Sequence, residues 1–173
     1  MVKVNGLKAQ EIARQYQQGD RHFRDLDLHG IDLSGGTLAD ADVRHSNLSR
    51  AHLSQADLSR INGYKVNLAQ ADVQQAFLNS AILAKADLHK LNGHRATLIN
   101  ADLDQANLSH ANLSHANLEG AKLSSADLSH ANLYWANLRH ADLSNANLSH
   151  ANLEGAKFCQ TRMPDGSLQN QDC

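Results

Sequence analysis

Apolar residues recur at every fifth position from Phe23 to Phe158 without an insertion, with Gly63 and Gly93 as the two exceptions. With that residue as the centre of a unit, 22 of the 28 centres are Leu, two are Val, two Phe and two Gly. The residue two places before the centre is Ala in 20 units, and the residue between them is Asn in 11 and Asp in 9. The other two positions are mostly Ser, His, Gln and Arg. A period of five fits neither a helix, at about 3.6, nor a strand, at about 2, so the backbone must turn in every unit and send the same two side chains inward. The Asn or Asp between them is suited to bonding backbone groups at the turn. Leu108, Leu113, Leu118 and Leu128, in the most regular stretch, define the expected core.

Ala106-Asn107-Leu108-Ser109-His110 is followed by Ala111-Asn112-Leu113-Ser114-His115 and Ala116-Asn117-Leu118-Glu119-Gly120. In these tandem units, and over about four fifths of the chain, the sequence resembles the pentapeptide repeat family. The resemblance implies an all-β fold, a right-handed quadrilateral parallel β-helix with four units per coil, here about seven coils, behind a short N-terminal α-helical cap. It divides the chain into a cap over residues 1–20, a β-helix over 21–160 and a turn with a polar tail over 161–173. Residues one coil apart would stack about 4.8 Å apart, where like charges repel. The nine Asp that precede a centre agree with a 20-residue coil: no two differ by 20, and six pairs differ by 15. Asp102, Lys122, Asp142 and Arg162 would form one column of alternating sign.

An open β-helix needs its ends covered. Residues 7–18 read as an amphipathic helix whose Leu7, Ile12 and Tyr16 share a face, with Gly19 placed to end it. At the other end Met163-Pro164-Asp165-Gly166 is a turn signal. The tail beyond it is polar and is expected to cover little apolar surface, leaving a mouth lined by Phe158 and Met163 for end-to-end dimerisation through the C-terminal coil. Two units reverse the sizes, Ile61-Asn62-Gly63 and Leu91-Asn92-Gly93. They read as volume compensation or as bulges that push Tyr64 and His94 outward.

A net charge of −2 argues against direct nucleic-acid binding and against a DNA mimic. No apolar run is long enough for a membrane span and no signal peptide is evident, so the expected location is cytoplasmic. Cys159 and Cys173 could close a loop around 13 residues, but in a reducing compartment free thiols are the expected state.

Of eleven His, His110, His130 and His150 fall in one external column, the single candidate for a metal. Parallel rings converge poorly on an ion, so no metal and no cofactor is expected. Ser, His and Asp abound, but on a convex rod they do not meet in a water-excluding pocket, so the chain reads as a non-enzyme. Tyr134 and Trp135 are the most unusual outward residues, read either as a binding anchor or as surface aromatics stiffening the sheet, with Tyr64 and His94 as further contact candidates. The expected function is a protein-interaction or scaffold module of unknown partner. The resemblance to cyanobacterial members suggests a regulatory setting. The alternatives are a type II topoisomerase binder of the quinolone-resistance kind and a structural spacer.

Overall fold

Each five-residue unit consists of three extended residues and a two-residue turn, repeated from residue 21 to the tail of the computed structural model. The model describes residues 2–173, with side chains from Lys8 onward. The turn is closed by the N–H of the next unit donating to the C=O of the centre, as in Ala51 to Leu48 and Ala111 to Leu108, both 3.0 Å. Its second residue has positive φ: 56° at Arg50, 57° at Gln105 and 58° at His110. That combination is a type II turn. β-Branched side chains are strained at such φ values, and none of the 28 second turn positions carries Val, Ile or Thr.

Successive laps pair in parallel, and every bridge joins residues 20 apart, from His22 with Asp42 to Asp142 with Arg162. Each bridge rests on two bonds, such as Leu108 N–H to Asp127 C=O at 2.7 Å and Asp127 N–H to Ala106 C=O at 2.9 Å. The result is a β-helix solenoid. Its sides are too short between turns to form long strands, so pairing occurs as single bridges.

The interior is a column of Leu and Ala. Leu108, Leu113, Leu118 and Leu128 are fully buried, as are Ala111 and Ala121. At the reversed units the bridges run through Asn62 and Asn92 without interruption, so there is no bulge. Ile61 and Leu91 are buried, and a Cβ at Gly63 or Gly93 would come within 3.0 Å of Leu83 Cδ2 or Leu113 Cδ2. The following lap therefore leans into the space, and compensation is the correct reading. Two inward hydroxyls replace Ala near the ends: Ser46 donates to Phe23 C=O at 2.7 Å and Thr161 to Leu138 C=O at 2.8 Å.

The N-terminal helix, α1 (Val2–Gln17), begins earlier than its amphipathic pattern suggests. Ile12 is buried, and Ala9 and Tyr16 pack on the core; the side chain of Leu7 lies outside the described residues. Tyr16 O–H donates to Ala39 C=O at 3.0 Å and Lys8 Nζ to Asp27 C=O at 3.1 Å, giving first-lap carbonyls the partners that a preceding lap would have supplied. Asp20 N–H to Gln15 C=O and Gly19 N–H to Tyr16 C=O, both 3.0 Å, with Gly19 at φ 94°, form a Schellman cap.

Candidate functional site

Winding in laps of 20 residues brings distant aromatics onto one corner. His94 and Tyr134 occupy first turn positions, and His115 and Trp135 second turn positions, of the same corner. Ring centroids of His94 and His115 are 5.6 Å apart, those of His115 and Tyr134 5.7 Å, and those of Tyr134 and Trp135 6.3 Å, all edge-on. His94 Nδ1 lies 2.8 Å from the Oγ of Ser114, which donates to Asn112 Oδ1 at 2.8 Å. Trp135 is 50% exposed and its indole lies over Gly155, one lap further on. Three of the four expected contact residues thus share a corner. Tyr64 does not: it lies one and a half laps from His94, against His45 at 6.0 Å and Lys65 Nζ at 5.4 Å.

His110, His130 and His150 form a stacked column with centroids 4.8 Å apart at each step, and His89 meets His110 edge-on at 5.6 Å. Rings held at 3° and 19° to each other present their nitrogens side by side. Among the described residues no group of three or more His, Cys, Asp or Glu is arranged to hold a metal ion.

The Asn and Asp of the repeat hold the turns and tie the laps together. Their Oδ1 atoms accept the N–H two residues on, as Asn107 does from Ser109 at 3.1 Å. Along one side Asn152, Asn132, Asn112 and Asn92 each donate to the residue one lap earlier at 3.3 Å, ending on Asp72. Four of these carboxyls are held below their ordinary range: Asp32 and Asp127 by the N–H of Ser34 and Ser129 first, Asp142 by the Ser144 hydroxyl first, and Asp42 as well. For Asp42, burial pushes upward, but Arg44 and Arg24 together outweigh it. These are fixed charges rather than proton carriers near neutrality. Asp102, Lys122, Asp142 and Arg162 do stack on successive laps.

A cleft of about 580 Å³ opens between α1 and the first lap and is lined by Lys8, Glu11, Ile12, Gln15, Leu26, Asp27 and Leu28. Sequence reasoning overlooked Phe77 and Ile82, 47% and 42% exposed, which occupy the slot that the repeat gives to Asn or Asp. An apolar residue in that outward slot was the available signal.

At the C-terminal end the amides of Leu148, His150, Leu153 and Gly155 have no acceptor among the described residues. The fourth side is different. The turn signal forms a hairpin that pairs β1 (Thr161–Arg162) with β2 (Leu168–Gln169) and returns the tail to the last lap. There Phe158 N–H donates to Asp172 Oδ2 at 2.8 Å, Gln160 N–H to Asn170 Oδ1 at 2.9 Å, and Arg139 Nη2 to Asp172 C=O at 2.9 Å. Phe158 is only 7% exposed, so the expectation of a tail that leaves it open is corrected. The expectation of free thiols is corrected as well, because Cys159 and Cys173 are joined in a disulfide. The hairpin brings their Cα atoms to 4.9 Å, within bonding reach.

A sequence profile of pentapeptide repeats matches in eight copies over residues 23–62, 64–92, 94–129 and 126–163. No curated protein matches the chain. Among solved structures, HetL of the cyanobacterium Nostoc sp. strain PCC 7120, a pentapeptide repeat protein involved in heterocyst differentiation regulation, is 28% identical, with 92% of this chain and 98% of that one covered and a TM-score of 0.33. A pentapeptide repeat protein of the Arabidopsis thaliana thylakoid lumen is also 28% identical, over 80% of this chain and 69% of that one, with a TM-score of 0.43. The plasmid-mediated fluoroquinolone resistance protein QnrB1 is 19% identical over 80% and 85%, with a TM-score of 0.46. Among the described residues no helix is long and apolar enough to cross a membrane.

Proposed function

The chain belongs to the pentapeptide repeat family, and from that premise we propose that it is a non-enzymatic protein-interaction or scaffold module whose contact surface is the corner bearing His94, His115, Tyr134 and Trp135. One observation carries this reading: the aromatic rings, up to 41 residues apart in sequence, form a continuous edge-to-face series along one corner of the rod. Tyr and Trp bring large contact area at small entropic cost, and a rigid surface loses little on binding. Outward side chains on a convex corner are suited to contact with a macromolecule and poorly suited to enclosing a substrate.

In this reading the solenoid is right-handed and four-sided, with about seven coils over residues 21–160, between the cap at 1–20 and the tail at 161–173. It acts as a regulatory component in a cyanobacterium and can join a second copy end to end through the C-terminal coil. We place it in the cytoplasm, where a disulfide is transient rather than permanent. A topoisomerase binder that mimics DNA would need a continuous acidic stripe. One outward column instead reads Thr37, Asp57, Phe77, Thr97, Asn117, Asn137 and Lys157. Inhibition of gyrase supercoiling at submicromolar protein would favour that alternative.

The test is crosslinking capture from a cyanobacterial lysate with wild type, a Tyr134→Ala/Trp135→Ala variant and a Tyr64→Ala control. A saturable partner lost only with the double variant supports the proposal. Retention by all three removes the corner as the contact surface, and the absence of any saturable partner favours a spacer.

A further inference from the structure

Besides its tether, the C-terminal tail is held by a few hydrogen bonds at Asn170 and Asp172, among them that from Arg139 Nη2 to Asp172 C=O at 2.9 Å. In the body of the solenoid each centre N–H donates to the C=O 19 residues ahead, as Leu118 does to Asn137 at 2.8 Å. For Phe158 and Gln160 no such lap exists. Asp172 Oδ2 and Asn170 Oδ1 take the place of its carbonyls, and Asp172 N–H returns a bond to Phe158 C=O at 2.8 Å. Apart from these contacts, residues 165–171 are exposed, with Leu168 at 56%. A segment with so little buried surface opens easily once it is no longer held. The holding element is the Cys159–Cys173 bond, whose Cys173 end is exposed and Cys159 end half-buried.

We infer that the Cys159–Cys173 disulfide is a redox latch: oxidised, it keeps the tail as a plug on one side of the C-terminal edge, and reduced, it releases the plug and opens that side. The reductant is a dithiol. Its thiolate attacks Cys173 Sγ, the Sγ–Sγ bond breaks and Cys159 leaves as a thiolate that takes up a proton. The second thiol of the reductant then expels Cys173, so two electrons and two protons pass to the protein and the dithiol ends as its own disulfide. Release frees the Phe158 and Gln160 amides and uncovers Phe158, continuing the edge already open at Leu148 and Leu153. An edge unpaired on three neighbouring sides is a template for another chain. This consequence rests on the end-to-end reading above; the latch itself does not.

Amide hydrogen exchange on the full chain, before and after dithiothreitol, tests the latch. Reduction, confirmed by a count of two thiols per chain, is expected to speed exchange at Phe158 and Gln160 by on the order of tenfold or more. Leu138, one lap below, stays protected, and reoxidation restores the original rates. Cys173→Ser should show the fast rates without reductant. Unchanged rates after confirmed reduction would overturn the latch, as would two free thiols in air-oxidised protein. Loss of protection extending to Leu108 would overturn it too, by making the bond a staple of the whole fold. Sedimentation of the same samples separates the two readings: fast exchange with a monomer in both states keeps the latch and removes end-to-end pairing.

Discussion

The indole of Trp135 rests on the backbone of Gly155, one lap further along the solenoid, so closely that a Cβ at Gly155 would lie 2.7 Å from Trp135 Nε1. Gly155 also has φ 69°, where a side chain adds backbone strain. Gly155→Ala is therefore expected to destabilise the C-terminal laps by about 1–3 kcal/mol and to displace the ring. Trp135 is the sole Trp, so its fluorescence reports the change directly: the emission should shift to the red as the melting temperature falls. An unchanged spectrum would mean that the indole does not sit on Gly155.

The second turn position can be tested where the side chain is uninvolved elsewhere. Ser125 is exposed at φ 56°. Ser125→Val places a β-branched residue in the left-handed region and should cost about 1–3 kcal/mol. Ser125→Gly removes the steric strain but loosens the unfolded chain, and should stay within about 1 kcal/mol of wild type. Equal melting temperatures for the two variants would contradict the turn assignment.

Acid sensitivity follows from the Asp residues of the repeat. Asp32, Asp42, Asp127 and Asp142 are all held below the ordinary carboxylate range. Groups of this kind contribute stability above the unfolded pKa of about 3.9 and lose it as pH falls through the folded value. Their contribution to the melting temperature should be flat from about pH 8 to 5 and decline below about 4. Asp127→Asn, which keeps an acceptor for Ser129 N–H, should reduce the decline. A rise in stability between pH 5 and 3 would contradict the assignment.

The lap of 20 residues was implied by the family resemblance, the Asp spacing agreed with it because stacked Asp residues repel, and the bridges fall on that number. The inward Leu and Ala were legible for a similar reason, since only two positions per unit are apolar. The disulfide was not, because its formation depends on a hairpin that returns Cys173 to Cys159, and two cysteines near a terminus carry no information about that fold-back. The aromatic corner was half legible. Tyr134 and Trp135 stood out by type, but the contribution of His115 depends on which turn position each residue takes and on how the rings lean. Phe77 and Ile82 were readable as apolar residues in an Asn or Asp slot, a departure hidden by attention to the centres.

The corner and the plug both depend on residues 20 apart lying one lap apart, and a spectroscopic ruler tests this most directly. In a Cys159→Ser/Cys173→Ser background, spin labels on Arg50→Cys paired with His130→Cys or His150→Cys span four and five laps of one corner. Double electron–electron resonance should place the pairs about 19 Å and 24 Å apart, an increment of about 4.8 Å per 20 residues. Distances that do not grow by that increment would contradict the winding, and with it the shared corner of His94, Tyr134 and Trp135.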